Sequence, residues 1–181
     1  MAKISVGKGR NEHFEQIVLP HLNAAYNLAR WLTRSEDDAD DVVQESYLRA
    51  LDSFHTFQMG RDGRPWLLKI VRNTCYTWLR KNKRYEAAEP FEENHPDVRV
   101  EGSNPETLLV AKANAQMVQQ GLEHILPEYR EILILRELEG FSYKEIAQIV
   151  DIPLGTVMSR LSRARKELRE RLQEEAVEVR R

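Results

Sequence analysis

The stretch SYKEIAQIVDIPLGTVMSRLSRARKEL, residues 142–168, decides the fold. Ser142 and Glu145 stand three residues apart ahead of an apolar run, the spacing at which a hydroxyl and a carboxylate cap each other's backbone N–H groups. A short helix to about Val150 follows from it, and Asp151-Ile-Pro-Leu-Gly155 supplies a turn. Beyond the turn, Val157, Leu161, Ala164, Leu168 and Leu172 recur at steps of three and four, one apolar stripe of a long helix to about Glu175. Ile146, Ala147, Val150, Ile152, Val157 and Leu161 form a wedge between the two helices, with Ala147 small where they approach closely. The pattern is that of a helix-turn-helix. The opposite face of the second helix presents Thr156, Ser159, Arg163 and Lys166, flanked by Met158, Arg160 and Ser162. Such a face suits a major groove, with its N-terminal side chains at base edges. Arginine pairs with guanine, an apolar methionine packs on a thymine methyl, and the later bases hold phosphates. The plainer reading is a solvated basic face.

Working upstream, every segment with a period has a helical one. Pro127 starts a helix that Gly140 stops. Before it, Asn104 and Pro105 mark the start of a helix over 105–124 carrying Leu108, Leu109, Ala111, Ala115, Val118 and Leu122. Residues 84–104 show no hydrophobic period and are rich in acids, which marks a linker. Residues 66–84 interleave Trp66, Tyr76 and Trp78 with Arg72, Arg80, Lys81, Lys83 and Arg84 on a helix that opens near Pro65. Its core face is Leu67, Ile70, Val71, Thr74 and Trp78. Aromatic rings stack on single-stranded bases while cations track the backbone, and the loop 57–64 beside this helix has room for a flipped base. Trp78 lies on the apolar series and reads as core; Trp66 fits either role.

Ser35-Glu-Asp-Asp38 matches a second capping box, with acids massed where the helix dipole favours them. The helix it opens puts Ala39, Val42, Val43, Tyr47, Ala50, Leu51 and Phe54 on one face and Asp37, Asp41 and Glu45 on another. That acidic face repels DNA and suits a basic protein partner, or is simply solvated. Residues 12–33 predict one more helix, interrupted at Pro20.

Composition agrees with this picture and narrows it. In 181 residues there are only 8 glycines and 7 prolines, and no strand pattern. The fold class is therefore all-α, two helical domains joined by an acidic linker, the second a helix-turn-helix unit. No apolar run reaches the ~18–20 residues of a membrane helix, and Met1 to Arg10 has no apolar core after its basic residues. A single cysteine, Cys75, makes no internal disulfide and predicts a reducing cytoplasm; in an apolar helix it reads as packing. The net charge of −2 hides strong patterning: acids dominate 34–52 and 86–106, bases dominate 61–84 and 156–171. Two basic blocks around an acidic spacer fit two contact points on one polyanion.

The segments Asp38-Ala-Asp-Asp-Val-Val-Gln-Glu45, Trp66-Leu-Leu-Lys-Ile-Val-Arg-Asn73, Leu135 to Ala147 and Pro153 to Arg165, in this order, resemble the RNA polymerase sigma factors of the extracytoplasmic-function (ECF) type. The resemblance covers about residues 11–173. It implies sigma region 2 over 11–84, a linker over 85–104 and sigma region 4 over 105–175. It implies that Asp38, Asp40, Asp41, Gln44 and Glu45 dock on the β′ clamp helices of core RNA polymerase, with the β subunit a further partner. It implies that Arg61, Trp66, Arg72, Asn73, Tyr76, Arg80 and Lys81 recognise and open the minus-ten promoter element. Thr156, Met158, Ser159, Arg160, Ser162, Arg163 and Lys166 then read the minus-thirty-five element. Thr77 stands where family members often carry an aspartate. The resemblance further implies an anti-sigma partner, a stress or envelope regulon, no cofactor and no catalysis. Two alternatives stay beside it. A stand-alone helix-turn-helix regulator leaves the aromatic-basic helix unexplained. A metal-dependent enzyme such as a nuclease lacks support, because His13, His21, His55, His95 and His124 show no ligand spacing.

Overall fold

The computed structural model describes residues 12–82 and 117–178, with side chains to residue 173. Among these residues every regular element is helical. The linker expected over 85–104, the Asn104-Pro105 helix start and most of the helix expected over 105–124 lie outside the described residues.

The N-terminal unit holds α1 (residues 12–18), α2 (Leu22–Thr33), α3 (Glu36–Ser53) and α4 (Gly63–Asn82). Pro20 cannot donate to the helical ladder, and the chain tightens there into a 3-10 turn over Leu19–His21 before α2 resumes. Ser35 caps α3 by accepting from the Asp38 N–H at 3.3 Å, with Glu36, Asp37 and Asp38 in the first turn. Its backbone N–H meets the Thr33 hydroxyl instead of a reciprocal carboxylate, so the cap is half of the expected box. The sequence places a loop over 57–64, yet α4 already starts at Gly63, so Pro65 lies inside its first turn. Glycine is required at that start: a Cβ on Gly63 would lie 2.5 Å from Ile17 Cγ2 and 2.7 Å from the Ile17 carbonyl oxygen. Leu28, Ala29 and Leu32 of α2, Ala39 and Val42 of α3, and Leu67, Leu68 and Val71 of α4 meet in the core.

The C-terminal unit comprises α5 (residues 117–123), α6 (Pro127–Leu133), α7 (Tyr143–Val150) and α8 (Leu154–Glu178). The helix from Pro127 does not run uniformly to Gly140. It widens into a π-turn over Ile134–Leu138, with the Glu139 N–H donating to the Ile134 carbonyl at 3.0 Å. Gly140, at φ +72°, then ends it. The Ser142–Glu145 capping box is complete. Asp151 supplies the left-handed turn at φ 60° that swings α8 across α7. Ile146, Ile149, Val150, Val157 and Leu161 fill the wedge, with Ala147 and Ile152 half-buried at its rim.

The two units pack on each other. α2 lies against α6 and α4 against α7, and their buried apolar residues form one continuous cluster.

Candidate nucleic-acid and protein-docking faces

The second helix of the helix-turn-helix carries its expected face outward. Met158, Ser159, Ser162, Arg163 and Lys166 are exposed, and Thr156 and Arg160 are half-buried. Met158 is a thioether left 53% exposed at the N-terminal end of this face. The stripe behind it, Val157, Leu161 and Ala164, is buried, so burial sets the rotation of α8 and the polar residues take what remains. Arg165 faces elsewhere: it donates to Glu137 through Nε at 3.0 Å and Nη2 at 2.6 Å, pinning α8 to the π-turn. Arg136 secures the same corner through the Phe141 carbonyl at 2.8 Å and the Tyr143 ring at 5.0 Å.

The acidic face of α3 is also open. Asp40, Asp41, Gln44 and Glu45 are exposed and Asp38 is half-buried. Glu45 bonds Arg49 one turn on, at 2.7 Å. Beside these groups a groove runs between α3 and α4, lined in part by Asp41, Gln44, Glu45, Leu48, Trp78 and Lys81. Trp78 is half-buried in that groove and so belongs to the core only in part, while Leu48, 61% exposed, adds an apolar shoulder.

The seven residues expected at the minus-ten element separate into three groups. Arg61, Asn73, Arg80 and Lys81 are exposed. Trp66 packs edge-on against Phe57 at 5.3 Å and Phe54 at 6.1 Å, anchoring the loop that precedes α4. Arg72 and Tyr76 face the C-terminal unit. The Arg72 guanidinium donates to both carboxylate oxygens of Glu131, at 2.9 and 3.3 Å, and stacks on the Tyr76 ring at 4.5 Å. Burial opposes the charge on Arg72, but its hydrogen bonds to Glu131 outweigh that cost and hold it above its usual range. Burial pushes the Glu131 carboxyl upward, against the pull of Arg72. Burial, then the nearby Glu131 charge, also raises the Tyr76 phenol. Cys75, on the same helix, is fully buried and its thiol is pushed up by desolvation, which makes it a packing group.

Further residues of this interface have no counterpart among the expected sites. Glu139 accepts from Arg64 and, at 3.2 Å, from Asn27, and the Arg64 guanidinium lies 4.5 Å over the Phe141 ring. Arg130, 2% exposed, donates to the carbonyls of Leu122, Glu123 and Ile125 at 2.8–2.9 Å, closing the end of α5. Its remaining nitrogen reaches across to the Trp31 carbonyl at 2.8 Å. Burial lowers the Arg130 pKa to about 10, so it remains a cation at neutral pH. Glu131, Glu139 and Arg130 were legible only as charges set among apolar residues in Pro127-Glu-Tyr-Arg-Glu-Ile-Leu-Ile-Leu-Arg-Glu-Leu-Glu139.

Comparison with known proteins bears on these faces. Residues 17–85 match the family model for Sigma-70 region 2, and residues 115–168 match that for Sigma-70, region 4. The chain is 34% identical over 176 residues to the ECF RNA polymerase sigma-E factor of Salmonella typhimurium, covering 93% of this chain and 91% of the relative. It is 32% identical over 167 residues to the ECF RNA polymerase sigma factor SigE of Mycolicibacterium smegmatis, where it covers 92% of this chain and spans 64% of the relative's length. Among solved structures it resembles the sigma factor RpoE of Bartonella quintana, crystallised with the anti-sigma factor NepR. The TM-score is 0.75 at 30% identity, covering 90% of this chain and 98% of that one. With both regions matched in order and a relative covered almost end to end, the chain belongs to the ECF sigma factors, which direct transcription initiation by RNA polymerase.

Proposed function

We propose that the chain performs this role through three separate faces and without covalent chemistry of its own. The exposed acids of α3, with Asp38, Asp40, Asp41, Gln44 and Glu45, dock on the basic clamp helices of the polymerase β′ subunit. The α4 face, with Arg61, Trp66, Arg72, Asn73, Tyr76, Arg80 and Lys81, engages the minus-ten element and holds its melted strand. The α8 face, from Thr156 to Lys166, reads the minus-thirty-five element in the major groove. Two weak readers gain affinity because polymerase holds both at fixed separation, raising the effective concentration of each for its site. The net charge of −2 leaves the free protein little general attraction for DNA.

The observation that carries the reading is the rotation of α8: all seven expected base- or phosphate-contacting residues are exposed or half-buried, while Val157, Leu161 and Ala164 behind them are buried. On this reading the protein acts in the cytoplasm, where polymerase is, and no described helix is long and apolar enough to cross a membrane. The Bartonella relative was crystallised with an anti-sigma factor, which supports a protein inhibitor here too. The sigma-E relatives support a stress or envelope regulon. A stand-alone regulator is disfavoured, because the N-terminal half matches region 2. Size exclusion of the protein with bacterial core polymerase tests the proposal. A one-to-one complex is expected; failure to co-elute, together with tight dimeric binding to a palindromic duplex, would replace it with the stand-alone regulator.

A further inference from the structure

Each of the two DNA-reading faces carries an exposed thioether. Met59 is 61% exposed and Met158 53%, while Met117 on α5 is half-buried. Met59 stands at the tip of the loop ahead of α4. That tip is a tight turn: the Arg61 N–H donates to the Gln58 carbonyl at 3.2 Å, and Gly60 lies at φ +87°. Both ends of the loop are fixed, one by Phe57 stacked on Phe54 at 5.7 Å, the other by Asp62, which accepts from the Arg64 N–H at 2.9 Å. Met158 follows the exposed Leu154 by one turn at the N-terminal end of α8. It lines a cleft with Tyr143, Ser162, Arg165, Lys166 and Arg169, so a hydroxyl and three cations share the space beside its sulfur. The chain's single thiol, on Cys75, is fully buried. Among the described residues, the sulfurs open to a dissolved oxidant are therefore thioethers.

We propose that Met59 and Met158 are oxidation sites, and that conversion of either to its sulfoxide weakens the promoter contact made by its face. This rests on the reading of both faces as DNA contacts. The reagent is a two-electron oxygen donor such as hydrogen peroxide. The thioether sulfur attacks one peroxide oxygen, the O–O bond breaks, and the other oxygen leaves as water. Sulfur loses two electrons and the peroxide gains them. A flexible apolar side chain becomes a polar one with a strong hydrogen-bond acceptor. On α8, a reduced Met158 suits a thymine methyl, whereas a sulfoxide oxygen finds no donor on that methyl. Turned into the cleft instead, the oxygen takes up the Ser162 hydroxyl or the Lys166 and Arg169 cations, groups that otherwise hold phosphates. Either course weakens the DNA contact. On the loop, the fixed turn leaves Met59 in solvent, and oxidation sets a polar group where a displaced base would pack. Dithiol-driven reductases, one for each sulfoxide epimer, take the oxygen off again as water, so the loss is reversible.

The test treats the full chain with hydrogen peroxide, removes the peroxide, and adds untreated core polymerase. Peptide mass spectrometry locates the added oxygen, and circular dichroism confirms that the helices persist. Affinity of the assembled polymerase for a mapped promoter is measured before and after treatment, each variant against its own untreated form. The wild type is expected to gain oxygen at Met59 and Met158 ahead of Met117, and to lose affinity on the order of tenfold, the cost of one unsatisfied polar group in a contact. The two reductases with dithiothreitol should restore it. A Met59→Leu/Met158→Leu double variant should keep its own untreated affinity after peroxide, whereas Met117→Leu should lose as much as the wild type. An equal loss in the double variant overturns the proposal, as does complete oxidation of both methionines with unchanged affinity. Loss of co-elution with core polymerase would place the effect outside the DNA faces and overturn it as well. The DNA reading is decided separately by Arg163→Ala in untreated protein: an altered base preference there, beside a complex indifferent to oxidation, removes the methionine sites alone.

Discussion

The chain carries two helices with cationic faces, and they are used in opposite ways. On α8, Arg163 and Lys166 stand in solvent, and Arg165 is held by Glu137 at the exposed edge. On α4, Arg64 and Arg72 are folded into an interface by carboxylates with almost no exposure. Residue type and helix amphipathicity are alike in the two. The difference lies in what packs over each helix: α8 packs on α6 and α7 of its own unit, whereas α4 is a surface on which the other unit lands. A basic helix face in a sequence therefore marks an anion-binding surface without saying whether the anion is a nucleic acid or the chain's own carboxylate.

The sharpest break of this comparison removes the acid on each side. Glu131→Ala leaves the Arg72 guanidinium without its buried carboxylate, which should cost about 3–5 kcal/mol where the packing of the two units is kept. Glu137→Ala removes the exposed partner of Arg165 and should cost less than about 1 kcal/mol. Urea titrations of the two variants and the wild type measure both, and equal losses would erase the distinction between the faces.

On the open helix, Arg163→Ala should weaken selection within the minus-thirty-five element by about 1–3 kcal/mol, read by binding to single-base variants of a mapped promoter. An unchanged base preference would reassign Arg163 to phosphate contact. The third face sharpens the contrast by being mainly acidic. Asp41→Lys on α3 should lower polymerase affinity by roughly tenfold, on the order of 1.4 kcal/mol, and leave the melting curve in place. Normal co-elution in competition with wild type would remove α3 from the docking surface.

The smallest effect concerns the start of α7, which orients α8. Ser142→Ala removes one side of the capping box and should cost about 1 kcal/mol. Glu145 is held below its ordinary value by the Ser142 hydroxyl and then the Ser142 backbone N–H. An acid with a depressed folded pKa stabilises the fold above its unfolded value of about 4.3 and loses that contribution as pH falls through the lower folded value. Glu145→Gln should therefore flatten the acid limb of the stability profile slightly. Identical profiles for variant and wild type would show that the capping carboxylate adds nothing.

Most of the architecture was readable because its signals are local. Ser142 and Glu145 sit three apart, Asp151-Ile-Pro153 turns within three residues, and the stripe from Val157 to Ala164 repeats every turn. The exposure of Arg163, Lys166, Asp41 and Glu45 followed directly, since burial of the apolar stripe fixes the rotation of each helix. The interface was not readable. Arg72 and Glu131 are 59 residues apart and Arg64 and Glu139 are 75 apart, and no periodicity encodes such pairs. Arg72 and Tyr76 consequently read as free DNA contacts, although Arg72 is gripped by Glu131 and Tyr76 lies under the Arg72 guanidinium. The π-turn at Ile134–Leu138 was missed for another reason: widening by one residue per turn leaves the apolar run unchanged and shifts only the backbone partners.

Reconstituted transcription tests the central claim most directly. Core polymerase, this protein and a library of bacterial promoter fragments should yield transcripts with defined start sites, downstream of two shared sequence elements at fixed spacing. Core polymerase that initiates no more selectively with the protein than without it would contradict the account.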